Sequence, residues 1–351
     1  MKKRYRLWTI LLLGGCLILQ ADAQPVRPEQ AIFEVSNYLS LMGRYEEAAK
    51  GYDALLRYAP RSDVYHNAGI NLALAGRRYS DLGVQRYTYP FERGISRSQA
   101  RPDSARSEQN LRRAAAYLDQ AIRQGLQATA LVDYASVLAL QGEYEAASHF
   151  ARRAQRYVGT LAGSRRIRGF ALAVEAICAL ELGQAGQSQA LAHQAAGLYD
   201  LLVDSILHIN GLFRYRSDPA PRRHFSLERI EGITPLEFVR EEKARLLPQK
   251  LRLPGDGPPL WLYSRLRSHV YAYQLDWQTA YFLFTNPTYP SPSSGGIRIG
   301  DAQGVLADQY GAPRAIRRNQ SGELWYYDED GIIFRMGAKG HVEGWVTFFV
   351  H

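Results

Sequence analysis

The chain has 351 residues, 46% of them hydrophobic and 22% charged, and a formal net charge of +9. This composition is typical of a folded globular protein and excludes a mainly disordered chain, while the length allows two or more domains. With only two cysteines, the chain cannot be a disulfide-rich scaffold.

The first 23 residues have the plan of a secretory signal peptide. Four basic residues start the chain, an apolar run covers positions 7–19, and the letters ADA then predict cleavage after Ala23. Two alternatives stay open. The letters LGGC resemble a lipobox in which Cys16 would be lipidated, or the apolar run remains as an anchor, although it is short for a membrane span. Each alternative predicts export.

Loss of residues 1–23 would remove four cations and one acid, which lowers the formal charge from +9 to +6. One cysteine, Cys178, would then remain, so no internal disulfide is possible. Cys178 lies in an apolar helical pattern with Val174 and Ile177, which favours a buried structural thiol over a reactive one.

The stretch from Gly43 to Pro60, GRYEEAAKGYDALLRYAP, has the pattern of a turn followed by an amphipathic helix. The glycine ends a preceding helix, and the proline ends this one because it lacks the amide that a further turn needs. An apolar stripe follows the helix through Tyr45, Ala48, Tyr52 and Leu55. Partial copies recur around Gly76, Gly142 and Gly183.

These copies resemble the tetratricopeptide repeat family, in which each repeat is a helical hairpin with a small residue on the first helix and alanine and an aromatic on the second. Small side chains let neighbouring helices approach closely. The resemblance covers roughly half of the chain and implies a stacked solenoid over residues 24–204.

The second unit departs from the repeat. The pattern expected on its second helix, found from Ala114 to Ala121, begins one repeat length further along the chain than the repeat predicts. The intervening stretch contains Pro90 and Pro102 and cannot be one helix. An inserted surface loop over residues 77–106 explains the delay, and a unit that lacks its first helix is the alternative. Arginines beside aromatic rings suit anionic ligands, whereas a solvated connector is the simpler interpretation. The candidate anion-binding residues are Arg86, Arg93 and Arg97.

Members of the resembled family usually bind peptides along a concave face lined by the first helices. Carried over by position, the candidate partner-binding residues are Phe33, Asn37, His66, Asn67, Ile70, Val132 and Ser136. The family pattern that holds a terminal carboxylate uses lysine and asparagine. Asn37 and Asn67 match its asparagines, but Phe33 and Thr129 stand at its lysine positions. The resemblance therefore implies a mixed apolar and amide groove.

Residues 205–257 are rich in proline and are predicted to be a linker with one short helix over 237–247. From position 258 the composition favours strands. Six short strands are predicted at 261–263, 269–273, 280–285, 324–327, 332–336 and 345–350. Between the two sets of three, Asp301 is predicted to cap a helix that Gly311 ends. The prediction is a multidomain protein: an α-helical tetratricopeptide-like solenoid, then a small α+β domain with antiparallel sheet at 258–351.

Residues 296–351 also resemble the small outer-membrane lipoproteins that accompany the β-barrel assembly machinery. The residues that carry this resemblance are Gly296, Gly300, Asp301, Tyr310, Gly311, Pro313, Trp325, Tyr326 and Phe334. The resemblance implies residence in the envelope, in the periplasm or associated with the outer membrane.

The sequence has no nucleophile elbow, no zinc-protease motif and no phosphate-binding glycine loop. We therefore predict no catalytic residues, no metal and no cofactor. Nucleic acid is not expected as a partner, because export separates the basic chain from it. The leading hypothesis is an exported non-enzymatic module that binds a protein or peptide of the cell envelope in its groove. The alternative is docking to anionic envelope material, such as lipid phosphates, through the arginine-rich loop.

Overall fold

The structure is a computed structural model. It describes residues 27–81, 87–92, 100–157, 164–213, 228–238, 249–251, 260–264, 270–275, 280–285, 287–311, 313–318, 322–327 and 331–350. The predicted signal peptide and Cys16 lie outside the described residues.

The first half of the described chain consists of helices arranged in antiparallel pairs. These are α1 (Pro28–Leu41), α2 (Tyr45–Tyr58), α3 (Ser62–Tyr79), α4 (Ser104–Arg123), α5 (Ala128–Leu140), α6 (Tyr144–Tyr157), α7 (Ser164–Glu181), α8 (Ala185–Ala196) and α9 (Leu201–Ile209). Each odd-numbered helix up to α7 packs on the helix that follows it and on the next pair. The pairs form a tetratricopeptide-like solenoid, as the sequence predicts.

Glycine has a specific role at the turns between paired helices. Gly43, Gly142 and Gly183 have φ values of +79°, +82° and +75°, a left-handed conformation that is strained for residues with a Cβ. Each of these turns joins its two helices through three residues. The sequence places repeats at these three glycines and at Gly76. The last prediction is wrong as a helix end, because Gly76 lies inside α3, packed against Leu111 of α4.

The segment between α3 and α4 is an insertion within one hairpin, because these two helices pack closely along their length. The helices cover positions 79 and 104, so the insertion is shorter than the predicted 77–106. Its described centre includes a 3₁₀ turn, Pro90–Glu92. This turn is not at the surface: Tyr89, Phe91 and Glu92 are buried, and Glu92 forms an ion pair with buried Arg77. The expectation of a surface loop is wrong here because two aromatic side chains pack among the helices.

The C-terminal half forms one antiparallel sheet of eight strands in the described residues. The strands are β1 (Gln249–Leu251), β2 (Leu260–Ser264), β3 (Val270–Leu275), β4 (Ala280–Thr285), β5 (Ala315–Arg318), β6 (Gly322–Tyr327), β7 (Ile332–Gly337) and β8 (Val342–Val350). Their order is β1-β2-β3-β4-β8-β7-β6-β5. The two predicted meanders therefore join where β4 pairs with β8.

Three details of the C-terminal half differ from the sequence analysis. Strands β1 and β5 were not predicted, since β1 has three residues and β5 carries arginines. Helix α11 (Gln303–Tyr310) has Ala302 at its N-cap position and no side-chain cap. Asp301 does not cap it, since its carboxylate accepts from the amide of Arg298 at 2.7 Å. In the predicted linker, α9 extends across position 205 and a helical turn, α10 (Pro235–Glu237), follows a capping box at Thr234. Most of the predicted helix at 237–247 lies outside the described residues.

Both faces of the sheet are buried. Along β6, Leu324 and Tyr326 point into a cluster shared with α1 and α2, whereas Trp325 and Tyr327 point into a second cluster that includes α11. This alternation is the two-residue period of a strand. The sheet is therefore the middle layer of three, with the solenoid on one side and α11 with residues 228–238 on the other.

The sheet packs directly on the concave side of the solenoid. The rings of Tyr38 on α1 and Phe282 on β4 lie 5.3 Å apart, centroid to centroid, and both side chains are fully buried. Strand β5 contacts α1, α3 and the 3₁₀ turn. The two regions share one apolar core, which the sequence analysis did not foresee.

A cavity between the solenoid and the sheet

We call the first helix of each pair (α1, α3, α5 and α7) inner and the second (α2, α4, α6 and α8) outer. All seven predicted groove residues lie on the inner helices, but none is at an open surface. Their exposed fractions are between 0% and 4%. The sequence predicts an open face, because the strands from position 258 onward are interpreted as a separate domain. The chain instead covers its own concave side with strands and with the 3₁₀ turn.

Four of the seven residues are enclosed within the packed layers. Phe33 belongs to the core shared with the sheet, and Asn37 accepts a hydrogen bond of 2.7 Å from the hydroxyl of Tyr52. Ser136 donates to the carbonyl of Val132 at 2.8 Å, and Asn67 is fully buried. A partner could reach these side chains only if the sheet moved away.

The other three, His66, Ile70 and Val132, line a cavity of about 380 Å³ at the junction of the solenoid and the sheet. We call it the junction cavity. Helices α3, α5 and α7 form one wall and the 3₁₀ turn a second. The third wall consists of β5, the start of β6, the end of β7 and the β7–β8 connection. Its helical wall is formed by His66, Ile70, Val132, Asp133, Ile167 and Phe170. The structure thus brings together side chains that lie far apart in the sequence.

A buried histidine and aspartate meet in the helical wall. The Nε2 atom of His66 lies 2.7 Å from Oδ2 of Asp133, and the two side chains are 2% and 8% exposed. An ionised carboxylate can only accept, so Nε2 is the donor. No atom of the described residues bonds to Nδ1.

The opposite wall holds a buried arginine, Arg317 on β5, whose side chain is 2% exposed. Its Nη1 donates to the carbonyl of Ile316 at 3.0 Å. Its Nε and Nη2 have no acceptor among the described residues. Burial lowers the pKa of Arg317, and the nearby side chains of Tyr52, Tyr45 and Asp133 act in the opposite direction. Burial likewise raises the pKa of Tyr45 to about 12.

The remaining charged residues of the cavity are Arg166, Arg314 and Glu323, and each has an interaction partner. Arg166 pairs with Asp200 at 3.2 Å, and Glu323 accepts from the indole nitrogen of Trp325 at 3.0 Å. Arg317 therefore differs from these side chains in having two donors that nothing described here satisfies.

Sequence reasoning missed Asp133 and Arg317. Asp133 carries a weak signal, since it is a charged residue within the apolar run LVDYASVLAL. Arg317 carries none, because arginine in a short polar stretch is usually solvated. The partnership of His66 and Asp133 spans 67 positions, and only the stacking of two repeats brings it about.

Several other predictions concern features away from the cavity. Cys178 is buried as predicted, and burial raises the pKa of its thiol to about 12. Arg86, Arg93 and Arg97 lie outside the described residues. Within the described ranges, His, Cys, Asp and Glu side chains form no group able to hold a metal ion. No described helix is both long and apolar enough to cross a bilayer.

Among solved structures, the chain is similar to a thermophilic TPR protein of Thermus thermophilus. The alignment covers 52% of this chain and 98% of that protein, with 19% sequence identity and a TM-score of 0.29. No protein-family model and no curated protein matches the chain. The tetratricopeptide-like fold is accordingly assigned from the hairpins and turns of the structure itself.

Proposed function

We propose that the protein is an exported, non-enzymatic interaction module of the bacterial cell envelope, which binds a short segment of a partner protein in the junction cavity. The observation that carries the proposal is the cavity itself. It combines the inner helices of three repeats with an edge strand of the sheet.

The edge strand favours an extended peptide as the ligand. In the described sheet, β5 pairs with β6 on one side and lies at the end of the strand order. Its residues Ala315, Ile316 and Arg317 line the cavity. A peptide that runs along this edge would gain main-chain hydrogen bonds, and the side-chain walls would supply specificity.

The volume and lining of the cavity fit a short segment. About 380 Å³ is near the lower end of ligand pockets, which commonly have apolar walls with a few polar groups. Ile70, Val132 and Phe170 provide such walls, and His66 and Arg317 provide the polar groups. A few residues of a partner would fill this space.

The location in the envelope is supported by the sequence of the leader, since cleavage after Ala23, lipidation of Cys16 or retention as an anchor would each export the chain. Mass spectrometry of the purified protein from membrane and soluble fractions would identify the mature N-terminus. A mature chain that still starts at Met1 in the cytoplasm would contradict this part of the proposal. The alternative, anion docking through Arg86, Arg93 and Arg97, gains no support from the described residues.

The peptide-binding proposal can be tested with a displayed library of random short peptides. Peptides that the wild-type protein enriches are synthesised, and their affinities are measured by fluorescence anisotropy. Ile167→Trp fills the cavity from α7, where the isoleucine is only partly buried. We expect this variant to lose at least about tenfold in affinity, which corresponds to about 1.4 kcal/mol.

The matched control is Tyr157→Trp, which introduces the same residue at a side chain that is 46% exposed and outside the cavity. Thermal unfolding of both variants checks that they fold as the wild type does. If no peptide is enriched, or if enriched peptides bind the filled variant with unchanged affinity, the proposed function is wrong.

A further inference from the structure

The junction cavity contains one charged group whose bonding is incomplete. The guanidinium of Arg317 is buried near Tyr52, Tyr45 and Asp133, with Nε and Nη2 unsatisfied by any described residue. A buried donor without an acceptor is destabilising, and a buried charge without a close partner more so. The stability of the fold therefore does not explain the presence of an arginine at this position.

The unsatisfied atoms form a defined recognition edge. Nε–H and Nη2–H are the two parallel donors on one side of a guanidinium, and their spacing matches the two oxygens of a carboxylate. The third nitrogen, Nη1, is held by the carbonyl of Ile316 at 3.0 Å. That bond holds Nη1 and leaves Nε and Nη2 unbonded. Both atoms are themselves buried, so a ligand reaches them only when the side chains that cover them shift.

The acids around the cavity are committed to other partners. Asp133 is bonded to His66, Glu323 to the indole of Trp325, and Asp200 to Arg166. Asp133 acts on Arg317 only at a distance, since the two side chains form no hydrogen bond or ion pair. A carboxylate supplied from outside the chain would satisfy both donors.

We propose that Arg317 binds a carboxylate of the peptide segment in the junction cavity through its Nε and Nη2 atoms. This inference rests on the proposed function, because it assigns the ligand chemistry of the same cavity. The carboxylate belongs either to the C-terminus of the partner or to an aspartate or glutamate side chain. The sheet, and not the helical repeat, thus supplies the charge that selects the ligand.

The first experiment uses a small probe pair, 3-phenylpropanoate and its neutral amide, titrated into the full-length protein with detection by ligand-observed NMR. The phenyl group suits the apolar wall, and only the acid can pair with Arg317. We expect the wild type to bind the acid at least about tenfold more tightly than the amide. Absence of binding of the acid, or equal binding of the two probes, would overturn the proposal.

The second experiment compares Arg317→Met with the control Arg298→Met, which removes an exposed arginine outside the cavity. In Arg317→Met we expect the preference for the acid to disappear while the thermal midpoint stays the same or rises, because an unsatisfied buried charge is removed. A purely structural Arg317 would give a lower midpoint and an unchanged preference, and either result contradicts the proposal.

The third experiment identifies the source of the carboxylate. Peptides enriched by the wild type are remade with an amidated C-terminus, or with each acidic side chain changed to its amide. Loss of affinity on amidation assigns the terminus, and loss on a side-chain change assigns that residue. If the peptides still lose affinity in Ile167→Trp but bind Arg317→Met unchanged, the proposed function stands and the carboxylate site is wrong.

Discussion

The inner and outer helices of the solenoid differ in the fraction of their residues that is buried. In α1, 11 of 14 residues are buried, and in α3, 14 of 18. In α4 only six of 20 residues are buried, and in α6 four of 14. The outer helices bury one stripe against the inner ones, whereas the inner helices are covered on two sides.

This difference in burial arises because the concave face is covered by other parts of the chain. In an isolated repeat domain, the inner helices would expose that face to solvent or to a partner. Here the sheet covers it at α1, and the 3₁₀ turn packs with α5. The junction cavity is the space that these two covers leave between them. Four experiments can break or sharpen the contrast between inner and outer helices.

The largest effect is expected when the contact between sheet and solenoid is cut. Phe282→Ala removes a fully buried ring beside Tyr38 and should cost about 3–5 kcal/mol of the free energy of unfolding. Trp261, Trp325 and Trp345 lie in strands β2, β6 and β8, so tryptophan fluorescence reports mainly on the sheet, while far-UV circular dichroism reports mainly on the helices.

In urea titrations, both signals should shift together to lower denaturant, because one core joins the two regions. Val305→Ala, at a 45% exposed position, is the control and should stay within about 0.5 kcal/mol of wild type. A sheet signal that shifts while the helical signal does not would show two independent units.

The packing of the 3₁₀ turn on the inner helices can be weakened at the ion pair between Arg77 and Glu92. Their side chains are 7% and 6% exposed. Glu92→Gln leaves the arginine charge buried without a counter-ion and should cost about 3 kcal/mol. Glu108→Gln, which breaks an exposed pair with Arg112, is the matched control and should cost less than about 0.5 kcal/mol. Chemical denaturation measures both. Equal effects would mean that the turn at 90–92 does not pack inside.

The close spacing of inner and outer helices can be tested with a pair of glycines. A Cβ at Gly69 on α3 would lie 2.8 Å from Cγ of Leu118 on α4, so Gly69→Ala should cost about 1–3 kcal/mol through overpacking. At Gly186 on α8 a Cβ meets nothing within 4 Å, and Gly186→Ala should stabilise by about 0.5 kcal/mol. Opposite signs in the thermal midpoint support the spacing, and equal signs contradict it.

The smallest effect concerns the far side of the sheet. Glu228 is 2% exposed and accepts from the amide of Ser294 at 2.7 Å, and burial raises its pKa above 4.5. The unfolded chain therefore releases this proton first as the pH rises, so stability should fall from pH 4.5 upward until the folded group has ionised.

Glu228→Gln should reduce this decline, because the amide cannot ionise and still accepts from Ser294. Urea unfolding at several pH values between 4.5 and neutral measures it. Glu143→Gln, at an exposed position, should leave the decline as it is in the wild type. An unchanged profile in Glu228→Gln would show that the carboxyl is not the cause.

Much of the fold could be predicted from the sequence, because helices, turns and strands follow from short patterns of apolar, small and turn-forming residues. Three of the four predicted turn glycines, the small residues of the hairpins and six of the eight strands were located by patterns only a few residues long. Strands β1 and β5 were not predicted, because three or four residues are too few to show an alternating pattern. Of the cavity, His66, Ile70 and Val132 were found, through their positions on the inner helices.

The sequence by itself determined which segments are helices and strands and which side of each is apolar, since these properties depend on neighbours within one or two turns. Only the tertiary structure decided that the sheet folds back on the inner helices and that Arg317 faces His66 and Asp133 across a cavity. Those contacts join residues more than a hundred positions apart, such as Tyr38 and Phe282. They depend on how whole surfaces pack together, which the periodicity of a short segment does not predict.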